Sequence, residues 1–204
     1  MIKCWGSHLG DVWAFVNYCI KHNHHELSAI ALDGKPIDKK IYEIFDNLDT
    51  SFKFDVCYSD KKFETVNQFY AWGIEYTPTV VKWYQNNNRI ITHQLDGGRL
   101  HNDLKCISED FKSDILQVIH SRGYIEQSVG GQFSLSECIK HMSESEFFIG
   151  IDSGMSHVAH SVGVPVILIE SNFDFRPYHI CKQYKTAKTV YDVASIIYKR
   201  PIGD

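Results

Sequence analysis

Asp152, Ser153, Gly154 and His157 stand close together and suit a phosphorylated ligand. The aspartate can accept from a sugar or ribose hydroxyl and the serine can donate, while the glycine, lacking a Cβ, lets the backbone approach closely. His157 falls about one helical turn further on, so its ring can reach back toward a pyrophosphate. The surroundings strengthen this reading. An apolar run, Phe147, Phe148, Ile149 and Ile151, breaks at Asp152-Ser153-Gly154 and resumes at helical spacing with Met155, Val158, Ala159 and Val162. The amides that begin that helix, around Met155, would meet a strand's carboxyl end, where free N–H groups and the helix dipole favour a phosphate. The same residues also fit an ordinary strand-to-helix turn with Ser153 as N-cap and His157 on the surface. The pattern alone leaves both open.

The elements that must position this turn alternate. Gly163 and Pro165 end the helix, and Val164 to Ile169 is a second apolar strand, completing a βαβ unit with a parallel sheet expected. Earlier in the chain, Ile2–Trp5, Glu26–Leu32 and Lys53–Tyr58 read as strands. Helices are expected from Gly10-Asp11 onward, from Pro36 through Leu48, and over Lys61–Trp72. Gly73 to Thr79 reads as a linker, and Val80 to Tyr84 as a strand or short helix. After it come a strand over Arg89–Leu95, a loop carrying Arg99, a helix over Ser108–Ser121, a strand over Tyr124–Val129 and a helix over 134–143. An amphipathic helix over Thr189–Tyr198 closes the chain. The fold class is therefore α/β, with two small Rossmann-like domains over 1–75 and 76–204. No G-x-G-x-x-G is present, which argues against a dinucleotide bound in the usual way.

Composition removes several classes. The 204 residues are 44% hydrophobic and 23% charged with a net charge of −4, an ordinary globular balance without a long basic run for nucleic acid or anionic membrane. Six cysteines, at 4, 19, 57, 106, 138 and 181, form no C-x-x-C pair and lie partly in apolar patterns, as reduced buried thiols do. With no signal-peptide pattern and no apolar run of membrane-spanning length, the expectation is a cytoplasmic protein. Of the eleven histidines, His157 and His160 have a ligand-like spacing, and His22, His24 and His25 cluster at a helix end. No further ligands follow at recognisable spacing, so no metal is expected.

The motif Asp152-Ser153-Gly154-x-x-His157-x-Ala159-x-x-x-Gly163-x-Pro165 resembles the donor-binding motif of glycosyltransferase family 9, the ADP-heptose lipopolysaccharide heptosyltransferases. Phe133 to Glu137 resembles the family's preceding helix start, and Gly6 to Val12 (GSHLGDV) its first loop. The resemblance implies a GT-B arrangement, two Rossmann-like domains facing across a cleft, with a nucleotide-diphosphate sugar as co-substrate and no cofactor. Asp152, Ser153, Gly154, Met155 and His157 would hold the donor. Asp11 would be the general base, with His8 and Gly10 on the acceptor side, and transfer would be inverting. An aspartate that merely begins a helix is the plain alternative for Asp11. Arg99 or Lys105 would supply a cation for the leaving diphosphate, and either also reads as a solvated surface charge. The family's FGPT is replaced here by Ile169-Glu170-Ser171-Asn172, which makes Glu170 the candidate ribose contact. The acceptor is expected to be a saccharide or, in a viral setting, a hydroxymethylated DNA base. A non-catalytic nucleotide-sugar binding module, or an epimerase or hydrolase, is the competing class.

Overall fold

The computed structural model describes residues 2–5, 9–32, 37, 39–59, 88–96, 106–170 and 184–199. Its first sheet has three parallel strands in the order β1 (Ile2–Trp5), β2 (Glu26–Leu32) and β3 (Lys53–Ser59). Helix α1 (Leu9–Lys21) buries Val12, Trp13, Phe15, Val16 and Cys19, a repeat that keeps one broad stripe inward. It stops at Asn23, which adopts the left-handed conformation that asparagine tolerates best after glycine.

Helix α2 (Lys40–Asp46) is shorter than the sequence suggests, starting well after Pro36 and ending before Leu48. At its end, the Asn47 side-chain amide donates to the Glu43 carbonyl at 2.7 Å, taking the acceptor that a continuing helix would use. Phe45 stacks on Phe54, which seats α2 on β3. The expected helix over 61–72, the linker at 73–79, the element at 80–84 and the boundary between 75 and 76 lie outside the described residues.

The second sheet holds five parallel strands in the order β5-β4-β6-β7-β8: β4 (Ile90–Gln94), β5 (Ile125–Ser128), β6 (Phe147–Gly150), β7 (Val166–Ile169) and β8 (Tyr184–Ala187). Four helices cover it: α3 (Glu109–Ser121), α4 (Leu135–Ser143), α5 (Gly154–Val162) and α6 (Val190–Tyr198). Ser108 caps α3, and Ser134 with Glu137 and Thr189 with Asp192 form capping boxes that start α4 and α6. Gly163, at φ 86°, ends α5 in the left-handed region, as its sequence position suggests.

Strands β6 and β7 are buried on both faces, which explains their unbroken apolar runs. Ile149, Ile167 and Ile169 pack with α3 and α6 on one side. Phe148, Val166 and Leu168 face the other side, toward α4 and α5. That second cluster does not stop at the sheet. It continues through α1 and α2 into Leu27, Ala29 and Ala31 of the first sheet. The two Rossmann-like halves therefore face each other through helices that share one apolar core. Among the described residues, no helix is long and apolar enough to cross a membrane.

Candidate functional site

In the second sheet the chain leaves β4 for one neighbour, β5, and returns to the other, β6. Helix α3 lies on one face while α4 and α5 lie on the other. A sheet wound this way opens a crevice at the carboxyl ends of the two strands where the winding reverses, here β4 and β6. Gln94 ends β4, and Gly150-Ile151-Asp152-Ser153 ends β6 and leads into α5. The turn identified from sequence thus stands at the switch point of the sheet.

Ser153 occupies the N-cap position of α5 with extended backbone, but its hydroxyl makes no cap bond. It donates instead to Gln94 Oε1 at 2.5 Å, spanning the crevice mouth. Ser153 thus takes the N-cap position read from sequence, without a side-chain cap bond. The first amides of α5 are left without a hydroxyl cap, as an anion-binding helix start requires. Ser156 bonds the turn to itself, its hydroxyl donating to the Ile151 carbonyl at 2.6 Å. Asp152 is buried, at 7% exposure. Gly150 has no room for a side chain: a Cβ there would lie 2.6 Å from the Phe148 ring and 3.1 Å from the Gln94 carbonyl oxygen.

The start of α1 meets the start of α5. A Cβ on Gly10 would come within 3.0 Å of His157 Cδ2 and 3.3 Å of Gly154 Cα, and one on Gly154 within 3.2 Å of both Gly10 N and Leu9 Cβ. The two glycines let two helix N-termini cross at backbone contact, which no pair of larger residues permits. Asp11 follows Gly10 in the first turn of α1, and the His157 ring lies against Gly10. His157 is nearly buried, not a surface residue.

Buried polar groups fix this crossing. Trp13 Nε1 donates to Ser161 Oγ at 2.5 Å, and the Ser161 hydroxyl has the Asn17 amide oxygen at 3.1 Å and the His157 carbonyl at 3.2 Å. All three side chains are wholly buried between α1 and α5. His160, on the same helix, is also buried; desolvation first and the neighbouring His157 second push its imidazole down to about 3, so it is neutral. A second set of contacts joins α2 to α4. Glu43 accepts from the Leu135 amide, Ser136 donates to Asn47 at 3.0 Å, and Lys40 Nζ donates to the Gly130 carbonyl at 2.7 Å.

Glu170 follows β7 at the same sheet edge and pairs with Lys188 at 3.1 Å. Of the other residues singled out from sequence, His8, Arg99 and Lys105 lie outside the described residues. Sequence reasoning passed over Gln94, Gly150 and Lys188. Gln94 left the clearest trace, a polar residue ending an apolar strand. Among the described residues, no group of three or more His, Cys, Asp or Glu side chains is arranged to hold a metal ion. His160, one of the spaced pair, belongs to the core.

An α/β fold with two parallel sheets and a polar turn at a switch point defines a Rossmann-like architecture. Residues 104–172, about a third of the chain, match the family model described as glycosyltransferase family 9 (heptosyltransferase), and the switch-point turn lies inside that span. The fold is similar to that of the iron-containing dodecameric glycosyltransferase TibC from enterotoxigenic E. coli H10407, with 15% identity and a TM-score of 0.55. A second structure, dodecameric iron-containing heptosyltransferase TibC in complex with ADP-D-β-D-heptose, matches with a TM-score of 0.53 at the same identity. Each comparison covers 90% of this chain and 61% of that one, so the chain spans about three fifths of the length of these structures. No curated protein matches by sequence.

Proposed function

We propose that this protein is a glycosyltransferase that moves a sugar from a nucleoside-diphosphate sugar to an acceptor hydroxyl. The observation that supports the reading is the backbone contact of Gly10 with Gly154, which brings the turn carrying Asp11 to the start of α5. The family match over residues 104–172 supports the same chemistry. The TibC complex with ADP-D-β-D-heptose supports a nucleotide-sugar donor.

In the mechanism, the diphosphate docks on the amides of Gly154 and Met155. Asp152 takes a donor hydroxyl, and Ser153, held by Gln94, sets the mouth of the site. Asp11 removes the acceptor proton as the acceptor oxygen attacks the anomeric carbon, and the bond from that carbon to the phosphate oxygen breaks. The α5 amides and His157 stabilise the charge that develops on the departing diphosphate. One displacement with Asp11 opposite the phosphate inverts the anomeric centre. Glu170, which pairs with Lys188, is assigned to the ribose, His8 to the acceptor side, and Arg99 or Lys105 to the phosphate as candidate cations. Transfer without a metal is part of this proposal. A saccharide is the acceptor this reading favours. Cys19, Cys57, Cys106 and Cys138 are free thiols, which supports a reducing, cytoplasmic setting.

A thermal-shift series over nucleoside-diphosphate sugars tests the reading. A true donor at a hundred times its dissociation constant adds about 2.7 kcal/mol and raises Tm by about 5–10 °C. No shift with any nucleotide sugar removes the proposal.

A further inference from the structure

Strand β4 turns Ile91 and Leu95 toward α3 and α6, so alternation along the strand turns Gln94 to the other face, toward α4 and α5. Gln94 ends that strand, and its side chain stands between the turns that follow β5 and β6. On the β6 side, the Ser153 hydroxyl donates its one proton to Gln94 Oε1 at 2.5 Å. That bond fixes which way the carboxamide faces. On the β5 side lies Nε2, 3.5 Å from where a Cβ on Gly130 would stand. Gly130 has φ 138°, a conformation that favours glycine, so the space beside Nε2 stays open. Next to it, a Cβ on Gly131 would meet nothing within 4 Å among the described residues.

The two ends of the carboxamide therefore differ. Oε1 is engaged by Ser153, whereas Nε2 has no hydrogen-bond partner among the described residues and the side chain is only partly buried. An amide nitrogen carries two N–H donors and no acceptor. Phosphate oxygens only accept, and a hydrogen bond to an ionised group is about twice as strong as a neutral one. An anion docked at the start of α5 is thus the ligand that this N–H suits.

We propose that Gln94 selects for phosphate in the donor site, its Nε2–H donating to an oxygen of the diphosphate that the first amides of α5 hold. The inference rests on the nucleoside-diphosphate reading above and adds to it a side chain from β4. Ser153 acts through Gln94. Its hydroxyl keeps the N–H toward the phosphate and turns away the carbonyl oxygen, which would repel it.

Calorimetric titration of ADP, UDP, GDP and CDP into the wild-type protein identifies the nucleotide to use, and the matching nucleoside, titrated in competition, is the control. Gln94→Glu keeps the shape and the acceptor for Ser153 but puts a carboxylate oxygen where Nε2 stood. Gln94→Met removes the donor without adding charge. Diphosphate binding should weaken roughly tenfold in Gln94→Met and further in Gln94→Glu, with nucleoside binding unchanged in both. Equal weakening of nucleoside and diphosphate, as a purely structural role would produce, overturns the assignment. Wild-type diphosphate affinity in Gln94→Met overturns it too, since any loss in Gln94→Glu is then repulsion alone. Failure of the wild type to bind any nucleoside diphosphate overturns the functional reading and this inference together.

Discussion

Gly154→Ala puts a methyl group where α1 and α5 cross. Its nearest neighbours would be Gly10 N at 3.2 Å, Leu9 Cβ at 3.2 Å and Leu9 Cδ2 at 3.3 Å. Two of these atoms cannot rotate away, so the helices must part by a few tenths of an ångström. Overpacking of this kind costs about 1–3 kcal/mol. Alanine returns up to about 1 kcal/mol through helix propensity, and less at a first helical position. The net is a loss of about 1–2 kcal/mol, or a Tm lowered by about 2–8 °C at this chain length. Urea denaturation measures it directly, and Gly10→Ala is the internal comparison. There the closest atom is His157 Cδ2 at 3.0 Å, on a ring that can turn at a cost of about 0.5–1.5 kcal/mol. Relief from glycine offsets most of that, by about 0.5–1 kcal/mol. Gly154 Cα, at 3.3 Å, cannot turn away, so Gly10→Ala should also lose stability, by less than Gly154→Ala, and should impair nucleotide binding by displacing His157. A Gly154→Ala protein as stable as the wild type would refute the backbone contact.

Two other outcomes follow from the buried seam. Ser161→Ala leaves the indole N–H of Trp13 without its acceptor in a dry interior, so stability should fall by about 1–3 kcal/mol in denaturant titration. His160 has a folded-state value of about 3 against 6.5 for the free side chain, so between these limits the unfolded chain binds the extra proton. Stability is full above the unfolded value and is lost as pH falls, by about 2 kcal/mol from pH 7 to pH 5. His93, also pushed down by burial although Glu126 opposes it, changes stability in the same direction. Denaturant midpoints for the wild type and His160→Gln across that range should differ in slope by about one proton; parallel curves would contradict a buried neutral His160.

The Asp152-Ser153-Gly154 turn was legible because its signals are local: an apolar run, then the polar break, then helical spacing closed by Gly163 and Pro165. Strand β8 was not, since Tyr184-Lys185-Thr186-Ala187 is short and polar and draws its order from pairing with β7. The early end of α2 depends on where one asparagine side chain points. Gln94 and Gly150 became visible only through strand register and close packing. Motif reading could name Asp11 and Gly154. Only the crossing of α1 and α5 makes them neighbours.

Asp11→Asn, assayed for nucleoside-diphosphate affinity and for sugar transfer in the same preparation, tests the central claim most directly. The account predicts an unchanged dissociation constant with turnover lowered by roughly 10²–10⁴. Turnover that survives the substitution would contradict it.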